Sequence, residues 1–234
     1  MLGKRNRDVY IKMVDTWEYK NTIYSDQTGK FPVKSRAGNR YIMVMVHIDS
    51  NYILVEAMKN KTDGEMIATY QKLLKRIKRT GQKVEKRVLD NECSDRMKEL
   101  IRDECLLELC PPGIHQRNIA EVAIKSFKKH FLSILAGLPD DFPWSFWDRL
   151  LPQTETTLNL LRQSNSTPTV SAFAHMHGNF DYNRMPLAPM GCPIQVHVKS
   201  KVRKTFDFHS EPGFYLFTSP DHYRVQNNVM KKTK

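Results

Sequence analysis

Two stretches decide the reading of this chain: Arg87-Val88-Leu89-Asp90-Asn91-Glu92 and Pro111-Pro112-Gly113-Ile114-His115-Gln116-Arg117-Asn118-Ile119-Ala120-Glu121. The first is a short apolar run that ends on a carboxylate, Asp90, where a strand should stop. The second is a Pro/Gly loop that opens into an unbroken helical pattern with Glu121 in its first turns. Thirty residues separate Asp90 from Glu121, room for one helix, one strand and a loop. That layout returns the chain so that a helix crosses near the tip of the Asp90 strand. Carboxylates gathered at a strand end from distant sequence make an oxygen-ligand site for divalent cations, as phosphoryl transfer requires. A third is expected from upstream, and Asp26 is the candidate.

Working outward, Lys83 to Leu89 reads as the strand that delivers Asp90. Ser94 caps a helix from Asp95 to Glu104, and Leu106 to Cys110 is the next strand, stopped by Pro111-Pro112-Gly113. Upstream, Thr62 and Asp63 begin a helix over 64–80, apolar at Met66, Ile67, Tyr70, Leu73, Leu74 and Ile77. Its other face carries Lys72, Lys75, Arg76 and Arg79, read as a solvated face with at most weak phosphate contact. Before it lie three strands, Thr22 to Val33, Tyr41 to Ile48 and Tyr52 to Met58, the last two joined by a turn at Asp49-Ser50-Asn51. Together they make an antiparallel meander.

Downstream, a helix is expected over 118–136 and another over 144–162, the second kinked at Pro152. Trp144 and Trp147, three residues apart, are assigned to the core. Three strands, then helix, strand, helix, strand and two helices is a ribonuclease H-like order: an α/β fold with a mixed five-stranded sheet flanked by helices. Past Ser164-Asn165-Ser166-Thr167-Pro168 the texture changes to a short helix and then brief apolar runs, among them Ile194 to Val198, Phe206-Asp207-Phe208, Phe214 to Phe217 and Tyr223 to Val225. The expected organisation is a lead-in segment (1–20), the α/β core (21–165), a linker with a short helix (166–185) and a small basic β-rich C-terminal module (186–234).

The chain has 234 residues and a formal net charge of +12, unevenly spread. Residues 71–90 hold eight Lys/Arg against two acids, 91–110 hold three against six, and 199–234 hold eight against three. Basic blocks on either side of an acidic stretch point to a polyanion, nucleic acid first, with solubility alone as the other explanation. No apolar run approaches the length of a membrane span, and Met1 to Arg5 carries no signal-peptide core. The four cysteines, Cys93, Cys105, Cys110 and Cys192, show no CxxC pairing, so an intracellular, reduced protein is expected.

Read together, Ser25-Asp26-Gln27-Thr28-Gly29-Lys30-Phe31-Pro32, Leu89-Asp90-Asn91-Glu92 and Pro112-x-x-His115-x-x-Asn118-x-Ala120-Glu121 resemble the catalytic core of retroelement integrases, in particular those of Ty1/copia-type retrotransposon polyproteins. The resemblance runs through Trp147 to Leu151 and Thr157 to Leu161, and more weakly into Pro186 to Pro189 and Gly213 to Leu216. It covers roughly residues 22–225. Each motif alone is unspecific, and their order and spacing carry the likeness.

The resemblance implies a DDE set of Asp26, Asp90 and Glu121 that holds two Mg²⁺ or Mn²⁺ ions. It implies 3′-end processing and strand transfer, with element ends and target DNA as partners. It also implies a homo-oligomer on DNA and a nuclear location for the integration step. Hard cations take oxygen ligands, so three carboxylates suit the task where His or Cys would not. Asp49 is the alternative to Asp26, and Glu92 the alternative to Asp90. Lys125 and Lys128 share the Glu121 helix face and, with His115, Arg117 and Asn118, are the candidate nucleic-acid contacts. A solvated face is the competing explanation for the two lysines. The interval before Glu121 is somewhat short for the family. No His-His-Cys-Cys set with ligand spacing occurs, so no structural zinc is expected. A non-catalytic DNA-binding remnant of a retroelement is the other functional reading, and a ribonuclease H-type nuclease the third.

Overall fold

The meander forms first in the chain. Strands β1 (Thr22–Gln27), β2 (Tyr41–His47) and β3 (Tyr52–Met58) pair antiparallel in sequence order, with Ile23 opposite His47 and His47 opposite Tyr52. The turn between β2 and β3 places Asn51 at φ 55°, a left-handed conformation that asparagine tolerates better than most residues. The computed structural model describes residues 20–89, 94–109, 119–218 and 229–231.

Helix α1 (Asp63–Arg79) then crosses back, and β4 (Lys86–Leu89) joins parallel to β1, with Tyr24 opposite Val88. Helix α2 (Asp95–Glu104) and β5 (Leu106–Leu109) complete the sheet, in the order β3-β2-β1-β4-β5. This is the mixed five-stranded, ribonuclease H-like arrangement expected from the sequence. Strand alternation separates two cores. Tyr24, Val44, Val46 and Val88 pack against α3 (Ile119–Ala136), whereas Ile23, Met43, Met45 and Leu89 pack against α1 and α2.

Several boundaries differ from expectation for identifiable reasons. β1 stops at Gln27 instead of running to Val33, because the Thr28 hydroxyl takes the Ile42 amide at 3.1 Å and the chain turns away. The single kinked helix expected over 144–162 is a 3₁₀ segment (Trp144–Leu150) followed by α4 (Leu151–Leu161). Pro152 occupies the first turn of α4, where its missing N–H has no helical partner to lose, so it starts a helix and kinks none. Trp147 is fully buried, but Trp144 is 47% exposed, a departure from the expected core pair.

After α5 (Ala172–His177) come β6 (Pro193–His197), β7 (Ser210–Tyr215) and β8 (Val229–Lys231), an antiparallel three-stranded sheet. The run Phe206-Asp207-Phe208 is a turn, not a strand: the Asp207 carboxylate accepts the Lys204 amide at 2.8 Å and bends the chain. The expected run at Tyr223 to Val225 lies outside the described residues. The small sheet docks through Phe214 and Leu216, which are buried in the same core as Phe142, Trp147 and Leu151. Gly191 permits this approach. It has φ +77°, and a Cβ there would fall 2.5 Å from Leu138 Cδ2.

Candidate active site

Asp26 lies near the C-terminal end of β1, the central strand, with β2 on one side and β4 on the other. Its side chain shares a strand face with Tyr24, two residues back, and that face is covered by Ala120, Ala123, Ile124 and Phe127 of α3. Glu121 occupies the first turn of the same helix and is half-buried. Residues 26 and 121, nearly a hundred positions apart, thus lie on a strand and on the helix packed over its face. The Gln27 amide donates to Asp26 Oδ1 at 2.7 Å, which steers the carboxylate.

Strand β4 runs parallel to β1, so the two point their C-terminal ends the same way. Its described part ends at Leu89, one residue before Asp90, and Asp90 itself lies outside the described residues, as does Glu92. His115, Arg117 and Asn118 also lie outside them. Among the described residues no three His, Cys, Asp or Glu side chains gather where a metal could sit. The candidate ligands that are described, Asp26 and Glu121, are both carboxylates, the hard oxygen donors that Mg²⁺ or Mn²⁺ takes.

Topology sets the alternative to Asp26 apart from it. Asp49 sits in the β2–β3 turn at the opposite end of β1, where Oδ2 accepts the Asn21 amide at 2.6 Å and lies 3.8 Å from His47 Nε2. Its work is to tie the turn to the start of β1. Burial pushes the His47 imidazole below its ordinary range, and the Asp49 carboxylate pulls it back only in part.

The backbone beyond Asp26 is pinned. The Thr28 amide donates to Ile42 O at 2.8 Å and the Phe31 amide to Arg40 O at 2.6 Å. The Phe31 ring stacks on Trp147 at 4.3 Å, and Trp147 Nε1 donates to Val33 O at 2.9 Å. Between this loop and α3 lies a depression of about 210 Å³, lined by Thr28 to Pro32, Phe127, Phe131, Leu132 and Lys128. Lys128 therefore borders the segment that follows Asp26. Lys125, one turn after Glu121, is exposed on α3.

On the far face of β1, Ser25 accepts a hydrogen bond from Arg87 Nη2 at 2.8 Å. Arg87 is 1% exposed, and its guanidinium carbon lies 3.4 Å from the centre of the Tyr70 ring. Burial pushes the Tyr70 phenol up to about 12, against the pull of Arg87. A buried cation thus sits directly behind the Asp26 strand, a residue the sequence reading did not single out. The signal was present: an arginine inside an apolar strand run, where charge is rarely placed without purpose.

The basic stripe of α1 is more structural than expected. Lys72 pairs with Glu56, and Arg76 pairs with Glu155 of α4. Glu155 is 3% exposed and also accepts from the Val55 amide at 2.9 Å and the Tyr52 hydroxyl at 3.1 Å. Burial pushes its carboxyl upward while these three donors draw it back.

Comparison with known folds resolves what this architecture is. The catalytic core domain of HTLV-2 integrase, solved in complex with magnesium in a trimeric form, superposes with a TM-score of 0.51 at 18% identity, covering 68% of this chain and 97% of that one. A chain of the simian T-cell lymphotropic virus intasome in complex with PP2A regulatory subunit B56 gamma superposes at 0.53 with 14% identity, over 84% of this chain and 69% of that one. The fold is that of an integrase catalytic core. In sequence, the chain is 25% identical over 220 residues to the retrovirus-related Pol polyprotein from transposon TNT 1-94 of Nicotiana tabacum. That match covers 90% of this chain but spans only 16% of the polyprotein. No family model matches the chain.

Proposed function

We propose that this chain is the catalytic region of a retrotransposon integrase, a metal-dependent polynucleotidyl transferase that trims DNA 3′ ends and joins them to target DNA. The observation that carries the proposal is the integrase-core fold itself, with Asp26 on its central strand, Glu121 in the first turn of the helix packed on that strand's face, and beside β1 a parallel strand whose sequence continues into Asp90. Asp26, Asp90 and Glu121 would hold two Mg²⁺ or Mn²⁺ ions, which supply charge stabilisation to the attacking and leaving oxygens of the displacement. The chain's own residues orient the reactants. The Gln27 amide and the pinned loop 28–33 fix the Asp26 carboxylate. Lys125 and Lys128 offer phosphate contacts along the α3 face, with Lys128 beside the loop. His115, Arg117 and Asn118 extend those contacts in the proposal. The magnesium complex and the trimeric and intasome assemblies of the similar integrases support a metal-dependent, oligomeric enzyme on DNA. In this proposal the enzyme acts in the nucleus at the integration step.

The test is joining of a labelled oligonucleotide bearing the element's terminal sequence to a target duplex, with Mg²⁺ or Mn²⁺. Wild-type protein should yield joined product, and Asp26→Asn, Asp90→Asn and Glu121→Gln should each reduce it to background while the thermal midpoint stays close to wild type. Joining that survives any of the three changes would remove that residue from the site. DNA binding without metal-dependent joining or end trimming by the wild type would make the chain a binding remnant. Preferential cleavage of RNA in a hybrid would make it a ribonuclease H-type nuclease.

A further inference from the structure

The loop between β6 and β7, residues 198–209, plays no part in the site above, yet it is the most aromatic exposed surface of the described chain. Its base is clamped by the last rung, His197 opposite Ser210, and by the Val198 amide donating to His209 O at 2.9 Å. Inside, the Arg203 amide closes on Ser200 O at 3.2 Å. The Asp207 amide closes on Lys204 O at 3.1 Å, and the Asp207 carboxylate takes the Lys204 amide at 2.8 Å. Backbone and turn bonds thus hold the loop's shape. They leave Phe206 99% exposed and Phe208 91% exposed, beyond every other large apolar residue described.

Single exposed apolar residues are common and need no explanation. Two phenyl rings two residues apart, both almost wholly in water on a bonded turn, are a different matter. The same loop carries Lys199, Lys201, Arg203 and Lys204 against one acid, Asp207, whose carboxylate is engaged in the turn. Cations occupy the first limb and rings the second. A single nucleic-acid strand has the matching chemistry, phosphates for the cations and unstacked base faces for the rings. In a duplex those faces are covered by neighbouring bases. We infer that the 198–209 loop binds single-stranded nucleic acid, with Phe206 and Phe208 stacking on bases and Lys199, Lys201 and Lys204 contacting phosphates. The choice of nucleic acid over an anionic lipid surface rests on the function proposed above.

The test uses the full chain without divalent metal, so it reads binding apart from any joining reaction. Fluorescence anisotropy would compare a labelled oligothymidylate of about 20 nucleotides with a duplex of equal length. The double change Phe206→Ala/Phe208→Ala should weaken single-strand binding about tenfold or more, with duplex affinity held within about twofold. Phe206→Trp/Phe208→Trp should keep wild-type affinity, and Phe206→Leu/Phe208→Leu should behave like the alanine pair, since stacking needs a ring. Both side chains are exposed, so all variants should melt with the wild type. Equal loss on both substrates, or no loss, would overturn the inference. So would loss of binding to phosphatidylserine vesicles with oligonucleotide binding unchanged. Transfer chemistry can fail with this binding intact, and the reverse also holds.

Discussion

Glu155 shows how one buried charge can be held in place from three elements. Its carboxylate, at 3% exposure, takes hydrogen bonds from Arg76 of α1 and from the Val55 amide and Tyr52 hydroxyl of β3. Placing a charge there costs desolvation, which the pair offsets only while all its partners remain. Removing one partner is therefore worse than removing both. Arg76→Met should lower unfolding free energy by about 3 kcal/mol, the low end for a broken buried pair, because Arg76 is partly exposed and two donors remain. Arg76→Met/Glu155→Met should recover a large part of that loss. Urea denaturation of both variants checks this; a double change as damaging as the sum of its parts would show that the pair is not coupled. A sequence reading sees Arg76 only as one more cation on a wet helix face, since its partner lies 79 residues away.

At the scale of elements, α4 exists to finish the sheet. Strand β3 is an edge, and an uncovered edge offers its amides and carbonyls to any other strand. Asn159 occupies that edge: Oδ1 takes the Ile53 amide at 2.8 Å, and Nδ2 donates to Ile53 O and Glu155 O, each at 2.8 Å. Asn159→Ala should cost about 2–4 kcal/mol, because buried backbone groups lose their partners, and should promote self-association. Thr156→Ala, half-buried on the same helix and bonded only back to Pro152 O among the hydrogen bonds described, should stay within about 0.5 kcal/mol. Denaturation midpoints and light scattering would read the two effects, and an Asn159→Ala protein as stable as wild type would refute this role. What the sequence made legible follows the same division. α2 was read to its residue limits because Ser94 caps it locally, its hydroxyl accepting the Met97 amide at 3.4 Å. Strand β3 was read likewise from its composition. The 3₁₀ segment before α4 was not, since a shared apolar stripe does not tell the two helix types apart. In the candidate site, Asp26 and Glu121 were proposed from motif order, and the meander's topology sets Asp26 and Asp49 at opposite ends of β1. Arg87 and Glu155 escaped because their meaning lies in partners that only the fold supplies.

For the whole molecule, the question is whether the C-terminal sheet is a separate unit or part of the core. The sequence invites a division at residue 186, where long elements give way to short ones. Packing argues for continuity. Phe214 is 1% exposed and meets Phe142 edge-on, ring centres 5.5 Å apart at 75°. The Tyr215 hydroxyl donates to Gln153 Oε1 at 2.6 Å, and Gln153 Nε2 donates to Ala188 O at 2.7 Å, stitching α4 to the segment that leads into β6. A ring in such a position contributes to the stability of everything it touches. Phe214→Ala should therefore cost about 3–5 kcal/mol and lower one common transition. Tryptophan fluorescence, dominated in the core by Trp147, and far-UV circular dichroism should shift to the same lower urea midpoint. An independent C-terminal unit would behave otherwise: the variant would lose a small early transition, and the Trp147 signal would keep its wild-type midpoint. The exposed loop at 198–209 would then move freely relative to the active-site end of the sheet. With one transition, the rings of that loop and the Asp26 strand belong to a single folded body, and nucleic acid engaged by the loop as proposed would be held at a fixed reach from that strand.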